Sequence, residues 1–203
     1  MGVLAGALTG RRFRVVGALP EGWQSFFQEQ LNEHAFREPA TAGGKEELEG
    51  WVRVQNLLDT DFDDTNQWLF QNYAAFALRV DVKSLPARLL AAHVEKRCRA
   101  WAEERGVGRA PASVRKEIKE ALETEWLARA LPRVAVTEIA WNVLAGTAIV
   151  GATSDKVIDR VRKRFSRTFR LDLVPWSPLD ASQDVQQRET LLASEPGTVG
   201  GEG

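Results

Sequence analysis

Cysteine and histidine, the side chains that most often bind zinc or act as catalytic bases near neutral pH, are nearly absent from this sequence. Its 203 residues include one cysteine, Cys98, and two histidines. A single thiol cannot form an intrachain disulfide, and it cannot build a cysteine-rich zinc site. We therefore expect an intracellular protein without a structural disulfide, and we predict no metal-binding residue.

Long hydrophobic runs are missing as well. No apolar stretch approaches the roughly 18 residues that a membrane span requires. Arg11 and Arg12 follow the short apolar stretch at the N-terminus, which is the reverse of the order in a secretory signal. These absences predict a cytoplasmic protein that does not contact a membrane.

The sequence lacks the motifs of common enzyme classes. It contains no GxSxG elbow, no HExxH helix and no glycine-rich phosphate loop. His93 and Cys98 are five residues apart on a predicted helix, so their side chains point about 140° away from each other and cannot form a catalytic pair. We predict no catalytic residue, and we find no signature of a module that reads DNA sequence.

Two acidic groups leave a metal-dependent nuclease open as an alternative. The first is the run Asp59, Asp61, Asp63 and Asp64, which begins like a calcium loop but has Asp64 where that loop needs glycine. The second is Glu117 with Lys119, the ExK spacing of one nuclease class, here in a helix rather than at a strand edge. We interpret these groups as a solvated loop and an ordinary helix surface.

Alternation of apolar and polar residues predicts several strands. It is clearest at 76–82, where Phe76 and Leu78 share one face and Arg79 and Asp81 share the other, as in a half-buried strand. The β-branched runs 134–141 and 147–151 are joined by a short turn-forming stretch and predict a hairpin. The other predicted strands are 12–16, 51–54 and 169–173.

Helical periodicity predicts helices at 20–35, 86–105 and 111–131, and a further helix that begins at Ser154. Because strands and helices are interleaved without a βαβ repeat, we predict an α+β fold in which an antiparallel sheet packs against helices. The prediction includes a long charged helical hairpin at 83–132. We assign residues 1–180 to this α+β region and 181–203 to a disordered, acidic, glycine-rich tail.

Charge is segregated along the chain, although the formal total is only −1. Residues 21–72 carry −8 and residues 171–203 carry −5, whereas 82–134 and 154–170 each carry +5. A nearly neutral composition thus contains two basic blocks between acidic ones. Such an arrangement favours a polyanionic partner for the basic blocks.

The basic residues of the last predicted helix follow a regular spacing. Lys156, Arg160, Lys163 and Arg167 recur at i, i+4, i+7 and i+11 and form one stripe, with Arg162 and Arg164 beside it. Like charges at these spacings repel each other by about 0.2–0.5 kcal/mol per pair. A bound polyanion would relieve that repulsion, so we predict that these six residues contact the DNA backbone.

A second basic cluster lies on the predicted helical hairpin. We predict it as a further DNA contact, with a solvated helix surface as the alternative. Glu120 and Glu123 stand four residues after two of its lysines and could simply make surface ion pairs with them. The cluster consists of Arg97, Arg99, Arg105, Arg109, Arg115, Lys116 and Lys119.

An ordered set of sequence stretches resembles the recombination-associated RdgC proteins. The resemblance runs from about Leu8 to Asp180. No single stretch is diagnostic, but the order of the whole set is moderately specific. The stretches are HAFRE (34–38), GWV (50–52), FALRVDVKSLPARLLAAHVEKR (76–97), VRKEIKEAL (114–122), LPR (131–133), ATSDKVIDRVRKRF (152–165) and LVPWSPL (173–179).

The resemblance implies an α+β protein that forms a ring-shaped homodimer with a basic interior. It implies binding of double-stranded DNA without sequence preference, restraint of a RecA-type recombinase, association with the nucleoid and no cofactor. The exonuclease label that the family has carried finds no catalytic constellation in these residues. A protein-interaction module, whose acidic N-terminal half or tail binds a basic partner without DNA contact, remains a further alternative.

Overall fold

An antiparallel sheet and four helices make up the described part of the chain. The computed structural model describes residues 2–4, 6, 8–38 and 47–177, so the predicted tail at 181–203 lies outside it. A short 3-10 turn, Thr65–Gln67, precedes the third strand. The elements are β1 (Arg11–Val16), α1 (Trp23–Glu33), β2 (Leu48–Arg53), β3 (Leu69–Phe70), β4 (Tyr73–Val82), α2 (Ala87–Glu104), α3 (Ala112–Arg129), β5 (Arg133–Asn142), β6 (Thr147–Val150), α4 (Asp155–Phe169) and β7 (Asp172–Pro175).

The sheet is built around its two longest strands. β4 and β5 pair over their full length, from Tyr73 opposite Asn142 to Val82 opposite Arg133. The strand order is β2-β4-β5-β6-β1-β7, and β3 pairs additionally with β4. Every pairing is antiparallel, which confirms the predicted α+β class.

Helices α1 and α4 cover one face of this sheet. Phe27 of α1 and Phe165 and Phe169 of α4 are almost fully buried against Trp141 of β5. The ring centroids of Phe165 and Phe169 lie 4.7 Å apart, and those of Phe27 and Phe169 lie 5.1 Å apart. Burying an aromatic side chain of this size contributes about 1.5–3 kcal/mol, so this cluster fixes how α4 is rotated on the sheet.

The opposite face of β4 is also covered, so the expectation of a half-buried strand at 76–82 is wrong. Ala77 packs there with Phe36 and Val52. Arg79 and Asp81 are only 5 % and 4 % exposed. Charged residues are buried where they are paired, and these two form an ion pair under the segment that follows α1. Alternation along β4 could not reveal this cover, because the covering residues lie about forty positions earlier in the sequence.

Helices α2 and α3 form the predicted charged hairpin and have a small core of their own. Leu90, Val94 and Cys98 of α2 pack against Leu122 of α3. The hairpin leaves the sheet after β4 and returns to it at the start of β5, where Val82 and Arg133 are paired. It is therefore anchored at one end of the two longest strands, away from the cluster under α4.

The strand predicted at 169–173 is wrong in its start and its length. Helix α4 continues to Phe169, and Arg170 then takes a left-handed conformation with φ 58° that ends the helix. Phe165 and Phe169 are four residues apart and share the buried face of the helix. The alternating apolar residues from Phe169 onward also fit a strand, and this hid the last turn of the helix. The strand itself, β7, begins at Asp172.

Candidate nucleic-acid interface

Packing under α4 decides which of its side chains reach solvent. Ile158, Val161, Phe165 and Thr168 are buried in the interior of the fold. The indole Nε1 of Trp51 donates a 2.8 Å hydrogen bond to the Thr168 hydroxyl, which ties the helix to β2. The basic residues of α4 therefore lie along its outer side.

Three of these basic side chains form what we call the basic ridge: Lys156, Lys163 and Arg167. All three are exposed, and within the described residues none of them makes an ion pair or a side-chain hydrogen bond. The ridge extends over twelve residues, from Lys156 to Arg167, which is about 16 Å along the helix axis at 1.5 Å per step. That length corresponds to about five base pairs of duplex DNA at 3.4 Å per step.

The other three predicted cations of α4 are held by neighbouring backbone and carboxylates. Arg160 makes an ion pair with Glu47, the residue before β2. Arg162 donates from Nε to the carbonyl of Leu173 at 2.9 Å and lies 3.7 Å from the Asp159 carboxylate. The stripe predicted from the sequence is thus divided into ridge cations, which have no carboxylate partner among the described residues, and tethered cations at its sides.

Arg164 is the most deeply placed of these arginines. Its guanidinium lies 3.6 Å from the Glu49 carboxylate and donates to the carbonyl of His34 at 3.0 Å. Burial lowers the pKa of Arg164, and the neighbouring Arg167 lowers it further. Arg164 therefore connects α4 to β2 and to the end of α1, and it is less available to a ligand than the ridge.

A shallow groove separates α4 from β2, and we call it the β2–α4 groove. Its lining includes five cations and three carboxylates. His34 lies at its border, and its pKa is lowered by burial and by the positive charges of Arg164 and Arg167. The groove is therefore electropositive. The lining residues are Glu47, Glu49, Lys156, Asp159, Arg160, Lys163, Arg164 and Arg167.

The hairpin cations have a different environment, because most of them have carboxylate partners on the hairpin itself. The shortest pairs are Arg115 with Glu95 at 2.8 Å and Arg97 with Glu125 at 3.0 Å. The guanidinium of Arg105 also lies 4.4 Å from the centroid of the Trp101 ring. The remaining pairs are Arg99 with Glu95, Arg105 with Glu104, Lys116 with Glu120 and Lys119 with Glu123.

These pairs favour the surface-pair interpretation of the hairpin cluster. Of the seven predicted cations there, Arg109 has no ion-pair partner among the described residues. The hairpin cations pair with carboxylates of α2 and α3, whereas Arg160 and Arg164 pair with carboxylates at β2. The hairpin contacts with DNA remain a prediction, while the ridge presents the less neutralised charge.

The acidic run before the 3-10 turn serves the structure of its own loop. The Asp63 carboxylate accepts a 2.8 Å hydrogen bond from the side-chain amide of Asn32. Asp64 caps the 3-10 turn by accepting a hydrogen bond from the backbone N–H of Asn66, and this bond lowers the pKa of Asp64. Over the described ranges, no cluster of three or more His, Cys, Asp or Glu side chains is arranged to hold a metal ion.

Sequence reasoning missed the groove residues Glu47 and Glu49 and the neighbouring His34. They come from the end of α1 and the start of β2, more than a hundred residues before α4 in the chain. No local spacing connects such distant positions. The only available signal was the acidic character of residues 21–72, which indicates a charge complement to α4 but not its location.

No helix in the described part of the chain has the length and apolar character needed to cross a membrane. A search of curated proteins finds no match to the chain. A family model described as "Putative exonuclease, RdgC" matches residues 13–191. The matched range includes α1 through β7, and with them the ridge, the groove and the hairpin. Because this match extends over most of the chain, the protein belongs to the RdgC family.

Proposed function

We propose that this protein binds the phosphate backbone of double-stranded DNA without sequence preference, through the basic ridge and the β2–α4 groove. One observation carries the proposal. Lys156, Lys163 and Arg167 lie on one helix face, and none of them makes an ion pair within the described residues. Unpaired cations at such spacing repel one another, and phosphates compensate them.

The proposed mode of binding is electrostatic. Lysine and arginine contacts to phosphates give affinity and orientation but do not read bases. The ridge lies along the exposed side of a helix whose other side is packed on the sheet, and this favours contacts with the phosphate backbone. Binding of this kind is equally strong on unrelated sequences and weakens steeply with salt.

Membership of the RdgC family fits a role associated with recombination. We propose, as finer parts of that role, that the protein acts as a homodimer, associates with the nucleoid and restrains a RecA-type recombinase by occupying duplex DNA. A strand-exchange assay tests the last point. We expect the wild-type protein to slow exchange and a variant with a neutralised ridge to lose that effect.

The salt dependence of binding gives a direct test of the proposed DNA contact. If the ridge neutralises three phosphates per chain, log affinity should fall with log salt with a slope of about −2.7. Fluorescence anisotropy with two unrelated duplexes of equal length, at four or more salt concentrations, measures this slope. A flat response, or a strong preference for one duplex, would contradict backbone binding.

We also propose that the protein acts on DNA without cleaving it. Glu117 and Lys119, the pair that best resembles a nuclease motif, are exposed on α3, and Lys119 lies 3.9 Å from Glu123. We expect linear DNA to stay intact when it is incubated with the purified protein and Mg²⁺ or Mn²⁺. Degradation that disappears in a Glu117→Ala variant would contradict this proposal.

A further inference from the structure

The ion pair between Glu47 and Arg160 stands at the opening of the β2–α4 groove. The Glu47 side chain is 43 % exposed and the Arg160 side chain is 25 % exposed, so solvent reaches both groups. Glu47 is the only hydrogen-bond or ion-pair partner of the Arg160 guanidinium within the described ranges. The two residues are 113 positions apart in the sequence, and only the fold brings them together.

A second ion pair in the same groove, between a carboxylate and a guanidinium, has different surroundings. Glu49 and Arg164 are 30 % and 16 % exposed, and Arg164 is also bound to the backbone carbonyls of His34 and Glu49. Losing its carboxylate would still leave Arg164 with these backbone contacts. Arg160 has no such support, so its guanidinium is released as soon as the Glu47 carboxylate leaves.

The groove has more positive than negative charge, so it can receive an incoming anion. Five cations line it against three carboxylates, so Glu47 and Glu49 do not neutralise its positive charge. A guanidinium binds carboxylates and phosphates with the same two-pronged geometry. A phosphate that already lies on Lys156 or Lys163 is therefore well placed to replace Glu47.

We propose that Glu47 occupies a phosphate site in the free protein and that a DNA phosphate displaces it from Arg160 on binding. This inference rests on the proposed function, because it describes how the same surface receives DNA. Glu47 thereby sets the affinity of the groove, since every binding event must first break its ion pair. A partly exposed ion pair contributes little to stability, so the exchange is readily reversible.

A double-mutant cycle tests this exchange. We expect Glu47→Gln to raise the affinity for a 20-base-pair duplex by about two- to fivefold at fixed salt, because the displaced ion pair is already gone. In an Arg160→Gln background, the same Glu47→Gln change should keep only the smaller gain that comes from removing one negative charge. Fluorescence anisotropy measures all four proteins, and circular dichroism confirms that each is folded.

Asp159→Asn is the matched control for charge alone. Asp159 lines the same groove but pairs with Arg162 rather than Arg160. We expect any gain from Asp159→Asn to be the same with and without Arg160, because only the general field changes. Glu47→Ala serves as a second variant at the key position, in case the glutamine amide forms a new hydrogen bond with the guanidinium.

The outcomes separate this inference from the proposed function. If wild type binds DNA with the expected salt dependence but Glu47→Gln and Glu47→Ala fail to strengthen binding, the exchange is refuted and the DNA-binding surface stands. An equal gain with and without Arg160 also refutes the exchange, because it shows a field effect. If wild type does not bind duplex DNA at all, the proposed function itself fails.

Discussion

Replacing Lys156, Lys163 and Arg167 together with glutamate should lower the affinity for duplex DNA by roughly 100- to 1,000-fold at 0.1 M salt. Each phosphate contact is worth about eightfold in affinity at that salt through counterion release, and three contacts are lost. The three side chains are exposed and make no ion pair within the described residues, so their replacement removes no contact that stabilises the fold. Anisotropy titrations on two unrelated duplexes measure the loss, which should be equal on both.

The hairpin offers a matched control with the same change of charge. Replacing Arg99, Lys116 and Lys119 with glutamate also reverses three positive charges, but each of these residues already has a carboxylate within 3.9 Å. We expect a loss of less than about tenfold, since their charge is largely neutralised before DNA arrives. If the hairpin variant loses more affinity than the ridge variant, the DNA-binding surface lies on α2 and α3 and our assignment to α4 is wrong.

Changing Asp81 to alanine should destabilise the protein by about 3–5 kcal/mol, the typical cost of leaving one member of a buried ion pair without its partner. The Arg79 Nε and Nη2 atoms donate to the Asp81 carboxylate at 2.9 and 2.7 Å. The hydrogen bond with Asp81 raises the pKa of Arg79 above its ordinary value. Without Asp81 this effect is gone, but an arginine still keeps its proton near neutral pH, so the variant leaves a buried charge without its partner. Urea denaturation followed by circular dichroism measures the change in unfolding free energy.

A double variant establishes the cause of that loss. The double variant Arg79→Met with Asp81→Leu removes both charges, and it should recover most of the lost stability because no uncompensated charge stays buried. Glu38 lies 3.7 Å from Arg79 and is well exposed. If Asp81→Ala costs less than about 1 kcal/mol, Glu38 has taken over the guanidinium, and the pair with Asp81 does not hold this face of the sheet.

Much of the secondary structure could be predicted because it depends on local spacing. The helical hairpin was predicted from apolar residues at helical intervals between Pro86 and Pro132, and α2 and α3 lie within those limits. The pairing of β5 with β6 was predicted from two β-branched runs and the short stretch between them. In both cases neighbours in sequence become neighbours in space, so a short window contains the necessary information.

Errors occurred where distant residues decide the environment. The strand β4 appeared half-buried, because residues 36–38, which cover Arg79 and Asp81, belong to another part of the sequence. The end of α4 was misjudged because Phe169 satisfies both a helical and a strand pattern, and only its packing on Phe27 and Trp141 selects the helix. In both places the local sequence fits two structures equally well, and the tertiary contacts determine which one forms.

The sequence by itself determined the α+β class, the two basic blocks and the regular spacing of cations on α4, because these depend on residue type and helical period. Only the tertiary structure decided which of those cations are free. The docking of α4 beside β2 places Glu47 and Glu49 next to Arg160 and Arg164, while the ridge receives no carboxylate from any described element. Pairing between charges falls off within a few ångströms, so it depends on how separate elements dock and not on the order of residues within one of them.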